Sequence, residues 1–140
     1  MPGKLEKQHF QYAGWSKTSF SEVVSVKGPG RLLFLSGIGA EDTGDAPGVI
    51  HHPGDVYQQT RLAYEKAAAV LARHGATLAD VVKISAYLLD VREAPNYHRA
   101  RAEAFKDAPG LPAHTFLFIN NLAWPGMLVE VDLTAVVAES

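Results

Sequence analysis

The sequence predicts an α+β fold: a mixed β-sheet with two helices packed on one face. Three observations carry this. The periodic segments run strand, strand, loop, helix, strand, helix, strand, strand. Two of them repeat apolar residues at spacings of three and four, the period of a helix face. Near the C-terminus, Phe116 and Phe118 alternate with Leu117 and Ile119, so one strand is apolar on both sides. Two helices cover only one face of such a sheet. The remaining face predicts self-association.

In chain order, residues 1–18 are polar, with His9, Phe10 and Tyr12 fit for a short edge strand. SFSEVVSVKG, the turn at Gly28-Pro29-Gly30 and RLLFLSG read as a hairpin over 20–37, its second strand buried on both faces. IGAEDTGDAPGVIHHPG holds four glycines and two prolines and reads as a loop. Asp55 is a candidate N-cap, since its carboxylate can accept the free amide hydrogens of a first turn. Val56, Thr60, Ala63, Tyr64, Ala67, Val70 and Leu71 follow as one stripe, and Gly75 is a natural C-cap. DVVKISAYLLD is rich in β-branched and aromatic residues and predicts a central strand over about 82–88. Asp90 and Glu93 have the spacing of a capping box, opening a helix over about 91–105 with Tyr97, Ala100, Ala104 and Phe105 on one face. KDAPGLP breaks it. AHTFLFI and LVEVDLTAVV are the last strands, joined through Trp124, Pro125 and Gly126.

The 140 residues suit one domain spanning 1–140. A formal net charge of −2 and the absence of a lysine-arginine cluster argue against a nucleic-acid surface. No run approaches the ~20 apolar residues that span a bilayer, so no membrane association is expected and a cytoplasmic protein is the simplest reading. Without cysteine, disulfides, thiolate nucleophiles and cysteine-bound zinc drop out. His51 and His52 are adjacent in a loop, but two ligands are too few for zinc, so neither metal nor cofactor is expected.

FSEVVSVKGPGRLLFLSG, VVKISAYLLDV, NYHRARAEAF and LPAHT…LVEVD, in this order and spacing, resemble the reactive-intermediate deaminase family (Rid, YjgF/YER057c/UK114). The resemblance covers the chain from about residue 20 to 137. It implies a chorismate-mutase-like fold assembled as a homotrimer around a central barrel, with clefts between subunits. It also implies hydrolysis of 2-imino or 2-enamino acids to 2-oxo acids and ammonia. The family places a carboxylate-binding arginine within a Pro-Ala-Arg-Ser or Pro-Ala-Arg-Thr stretch. The matching stretch here is Pro112-Ala113-His114-Thr115, so the chain reads as a divergent member. The family's site tyrosine matches Phe20, its Ser-Gly matches Ser36 and Gly37, its glutamate matches Glu130, and Asn96 holds a structural asparagine position.

Histidine cannot copy arginine's rigid, permanently charged fork. It can donate one hydrogen bond or move a proton. His114 is therefore a candidate general acid and Glu130 a candidate for orienting water, with Ser36-Gly37 backbone groups holding a carboxylate. Phe20, Phe116 and Trp124 could line an aromatic cleft suited to a bulkier substrate, such as an aminomuconate-like acid. Asp132 shares a strand face with Glu130 and reads as a structural charge. Arg31 and Lys83 read as surface charges. The expected function is deamination of an enamine or imine. The alternatives are a tautomerase, a C–N or ester hydrolase on the same cleft, and a noncatalytic metabolite-binding protein.

Overall fold

The computed structural model describes residues 3–44, 46 and 48–139. Six strands and two α-helices form an α+β fold: β1 (Glu6–Phe10), β2 (Val23–Lys27), β3 (Gly30–Phe34), α1 (Val56–Ala72), β4 (Val81–Leu88), α2 (Ala94–Ala104), β5 (Ala113–Phe118) and β6 (Val129–Ala138). The main sheet is mixed, in the order β3-β6-β4-β5. Its first two pairings are antiparallel and β4-β5 is parallel.

The expected hairpin over 20–37 does not form. β2 pairs with β1 in a separate two-stranded sheet, while β3 pairs with β6, about a hundred residues away. Gly28 turns the chain at φ 98, a conformation that disfavours side chains, and a Cβ there would strike the Lys4 carbonyl. The turn is present, but its two strands go to different partners. β3 is also not buried on both faces, for Leu32 is 57% and Phe34 76% exposed.

α1 begins where the cap predicts, with Asp55 accepting from the Gln58 amide. Gly75 follows at φ 74, and the Ala76 amide closes back on the Leu71 carbonyl at 3.0 Å. Ala63 and Ala67 are fully buried, and these small side chains let the helix lie close to the sheet. Val70 is half-exposed, and Gln59 takes its place in the buried set. Gln59 donates to the His52 and Gly126 carbonyls and accepts from the Leu128 amide. That satisfies a buried amide and ties two loops to the helix.

The start of α2 differs from the expected capping box. Asp90 caps the Arg92 amide in a short 3₁₀ turn over 91–93, Glu93 accepts from the Asn96 side chain, and α2 itself opens with Pro95 in its first turn. Proline lacks an amide hydrogen and fits only there. A reciprocal capping box does form at Thr77 and Asp80.

The pairing registers assign each side chain to a face. Ile84 lies between His114 and Leu133, and Ala86 between Phe116 and Val131, beneath the helices. Tyr87 lies between Leu117 and Glu130, and Ser85 between Thr115 and Asp132, on the open face. Both α1 and α2 lie on the first face, over a core that includes Tyr64, Leu71, Tyr97, Val131 and Leu133. Among the described residues, no helix is long and apolar enough to cross a membrane.

Candidate functional site

The two residues predicted to be catalytic lie on opposite faces of the same sheet. In a pleated strand, faces alternate every residue, so the row through Ile84 and the row through Tyr87 point oppositely. His114 belongs to the first row and Glu130 to the second. Among the described residues of one chain, the sheet separates them. Surface grooves of about 420, 460 and 490 Å³ are lined by α1, α2, β3 and adjoining residues, and neither residue lines them.

His114 sits at the start of β5, an edge strand, beneath α2. Its Nε2 is 2.7 Å from the Tyr97 hydroxyl, which is 2.6 Å from the Tyr64 hydroxyl. Tyr64 and Tyr97 are fully buried, and burial pushes both phenols up, so they stay protonated. Burial, followed by the positive charge of Arg101 and the neighbouring His98 and Lys83, pushes His114 down to about 3. At neutral pH the ring is uncharged. Burial thus works against the protonated form that a general acid needs. A neutral ring can still accept from Tyr97 at Nε2 while presenting Nδ1–H as a donor. Phe116 stacks on Tyr97 with centroids 4.9 Å apart and belongs to this aromatic cluster.

The segment carrying Phe20 meets the same corner. The Ser21 amide donates to the Pro112 carbonyl, and Ser21 bridges to Ala113 beside His114. Phe20 is half-buried, with its ring edge-on to Trp15. The Arg101 guanidinium donates to the Ser19 carbonyl and lies 3.4 Å from His98 Nδ1. Arg101 was not singled out in the sequence. The available signal was its spacing, four residues after Tyr97 on the buried face of α2.

Glu130 forms the second constellation. A Cβ on Gly37 would lie 2.7 Å from its carboxyl carbon, so a side chain there would push the Glu130 carboxylate aside. Burial raises the Glu130 pKa, and the negative charges of Glu41 and Asp132 raise it further. Asp132 accepts from the Tyr87 hydroxyl at 3.3 Å. Lys66 ties Glu41 down through its carboxylate and two nearby carbonyls. Ser36 is exposed at the mouth of the groove between β3 and α1. The Gly37 backbone thus lies beside a carboxylate, an unfavourable place for a second anion. Trp124 is 42% exposed and covers Gly48. His51 pairs with Asp42 at 2.9 Å, and no group of three potential metal ligands occurs among the described residues.

Comparison with known proteins brings in relatives. A family model described as Endoribonuclease L-PSP matches residues 13–137. A RutC family protein of Pyrococcus abyssi is 30% identical over 82 residues, covering 59% of this chain and 62% of that protein. The mitochondrial protein mmf2 of Schizosaccharomyces pombe is 27% identical over 110 residues, covering 79% of this chain and 82% of that protein. Among solved structures, the Rid family protein YyfB of Yersinia pestis superposes with a TM-score of 0.81 at 24% identity, covering 95% of this chain and 98% of that one. Rv2704 of Mycobacterium tuberculosis, a member of the YjgF/YER057c/UK114 family, gives 0.63 at 26% identity, with 94% and 100% covered.

Proposed function

Because this chain belongs to the Rid/YjgF/YER057c/UK114 family, we propose that it hydrolyses an imine or enamine of a small unsaturated amino acid, aminomuconate-like acids included, to the oxo compound and ammonia. The observation that carries the reading is Glu130: a carboxylate with a raised pKa, set against the backbone of Gly37 on the open face. A raised pKa makes a carboxylate a better base towards water. As the water oxygen bonds to the imine carbon, Glu130 takes its proton and the C=N pair moves to nitrogen. Glu130 then returns the proton to nitrogen. The same carboxylate carries the remaining hydroxyl proton to nitrogen as the C–N bond breaks, leaving the oxo group and ammonia. An enamine first tautomerises to the imine. His114 stays neutral and orients substrate through Nδ1–H, with Tyr97 holding the ring.

Opposite faces of one sheet can serve one substrate only if two chains contribute. The assembly we propose is a homotrimer, with the β5 edge of one subunit meeting the Glu130 face of the next. Leu32, Phe34 and Leu117 are exposed apolar residues on that open face, and burial of such side chains is worth ~1.5–3 kcal/mol each. Phe34→Asp is expected to convert the trimer to single chains, a threefold fall in mass by light scattering. An unchanged mass removes β3 from the contact.

The activity itself is tested with imino acids generated in the cuvette by an amino-acid oxidase, following ammonia release. The wild type is expected to accelerate release, and Glu130→Gln to lose ~10²-fold or more in turnover with its assembly intact. Equal rates for the two proteins would remove Glu130 from the chemistry. The matching family model is also described as an endoribonuclease. The paired carboxylates of Glu130 and Asp132 on the open face repel a phosphodiester. Cleavage of single-stranded RNA by the wild type, lost in Glu130→Gln, would replace the present reading.

A further inference from the structure

We infer that Arg101 is the anion-binding charge of this site and that it takes the carboxylate of a small 2-oxo or 2-imino acid. The side chain is 5% exposed, and no carboxylate forms an ion pair with it among the described residues. Burying a guanidinium without a counter-charge costs several kcal/mol. Of its five donor hydrogens, one Nη engages the neutral Ser19 carbonyl and the other Nη faces His98 Nδ1 at 3.4 Å. Nε has no partner.

A second orphan lies on the segment that receives this arginine. Ser21, two residues beyond Ser19, is 1% exposed, and its hydroxyl also has no partner. A buried donor left unmade costs ~1–3 kcal/mol, so two in one corner need an explanation. A carboxylate supplies one. Its two oxygens match the parallel N–H bonds along the Nε–Nη edge, and its remaining lone pairs accept from a hydroxyl. The surroundings leave the guanidinium charge unopposed, since the titratable groups that feel Arg101 are the phenols of Tyr64 and Tyr97 and the rings of His98 and His114, all neutral at pH 7. The Gly37 backbone offers no rival seat for the anion, being pressed against Glu130. Arginine's fork suits the planar, bidentate carboxylate better than a lone ammonium would. The kind of ligand rests on the deaminase reading above. The anion seat itself does not.

Calorimetric titration of the assembled protein with pyruvate, pyruvamide and inorganic phosphate tests the assignment without any turnover. The wild type is expected to bind pyruvate about tenfold or more tighter than pyruvamide, its uncharged counterpart. Arg101→Met is expected to erase that preference and Arg101→Lys to retain part of it, both checked for fold by circular dichroism. Pyruvate should also shift the ring signals of His98 and His114 in the wild-type protein by NMR, while leaving His51 and His74 unmoved. This readout stands even if Arg101→Met fails to fold. Equal affinity for pyruvate and pyruvamide, a folded Arg101→Met that keeps the preference, or still ring signals would each overturn the inference. Phosphate binding tighter than pyruvate would overturn the carboxylate as its ligand. A protein that binds pyruvate through Arg101 yet releases no ammonia would retain the anion site and lose only the deaminase reading.

Discussion

Co-expression of Glu130→Gln with His114→Gln, each inactive alone, is expected to restore about one quarter of wild-type imine hydrolysis. The number follows from chain pairing. If each site takes His114 from one subunit and Glu130 from the next, a random equal mixture gives an intact His114 with probability one half and an intact neighbouring Glu130 with the same probability. Each single variant is expected to fall ~10²-fold or more, so the recovery stands far above background. The registers motivate the experiment: Glu130 shares a row with Tyr87 and Leu117, while His114 shares one with Ile84 and Leu133, on the other face. Glutamine at either position preserves volume and a hydrogen-bonding end, so loss of assembly is not the expected cause of inactivity. Mixed trimers that stay as inactive as their parents, with both subunits present by mass spectrometry, would rule out a site shared in this way.

The same separation shows how far the sequence could be read. α1 was legible because its signals are local: a cap at Asp55, a three-four stripe and a glycine exit at Gly75 all agree. β4 was legible from its β-branched run, which the structure places inside the sheet. The 20–37 hairpin misled because a turn specifies reversal and not partnership. Strand β3 leaves Gly28 for β6, whose identity is written at the far end of the chain. The Asp90–Glu93 spacing misled because Pro95 sets where α2 starts, and Asp90 spends its carboxylate on the Arg92 amide. At the site, Glu130 and Gly37 were both named from the sequence, and the structure brings them into contact. His114 was named with a proton-donor role that its environment opposes. That environment comes from Tyr64, Tyr97, Phe116 and Arg101, three of them on helices, and no local pattern around residue 114 encodes it. Arg101 was passed over because arginine in Arg-Ala-Arg looks solvated, although its spacing from Tyr97 puts it on the buried side.

Mild acid should weaken the fold, with His114 the main cause. Burial holds the ring near 3, well below the ~6.5 of an unfolded chain. Between those values the unfolded chain binds a proton that the folded chain refuses. Stability contributed by this group is therefore complete above pH ~6.5 and is lost progressively as pH falls towards 3. By pH 5 the loss is about 2 kcal/mol, and across the whole window it is about 5 kcal/mol, a large share of a typical domain's stability. His98 and His9 are also lowered, chiefly by burial, and act in the same direction. Glu130 acts oppositely: its raised pKa makes the folded chain gain protons first, so it stabilises as pH falls through its own titration. Glu41, held below the ordinary range by the Gly39 amide and Lys66 despite its burial, loses its contribution only under stronger acid. Urea midpoints measured from pH 7.5 to 5 thus report mainly on histidines. The wild type is expected to lose stability steeply over that range. His114→Gln, which cannot titrate but can still accept from Tyr97, is expected to start lower and change far less. Parallel slopes for the two proteins would mean that His114 is freely protonated in the folded chain. The neutral ring on which the Tyr97 contact and the orienting role both depend would then be lost.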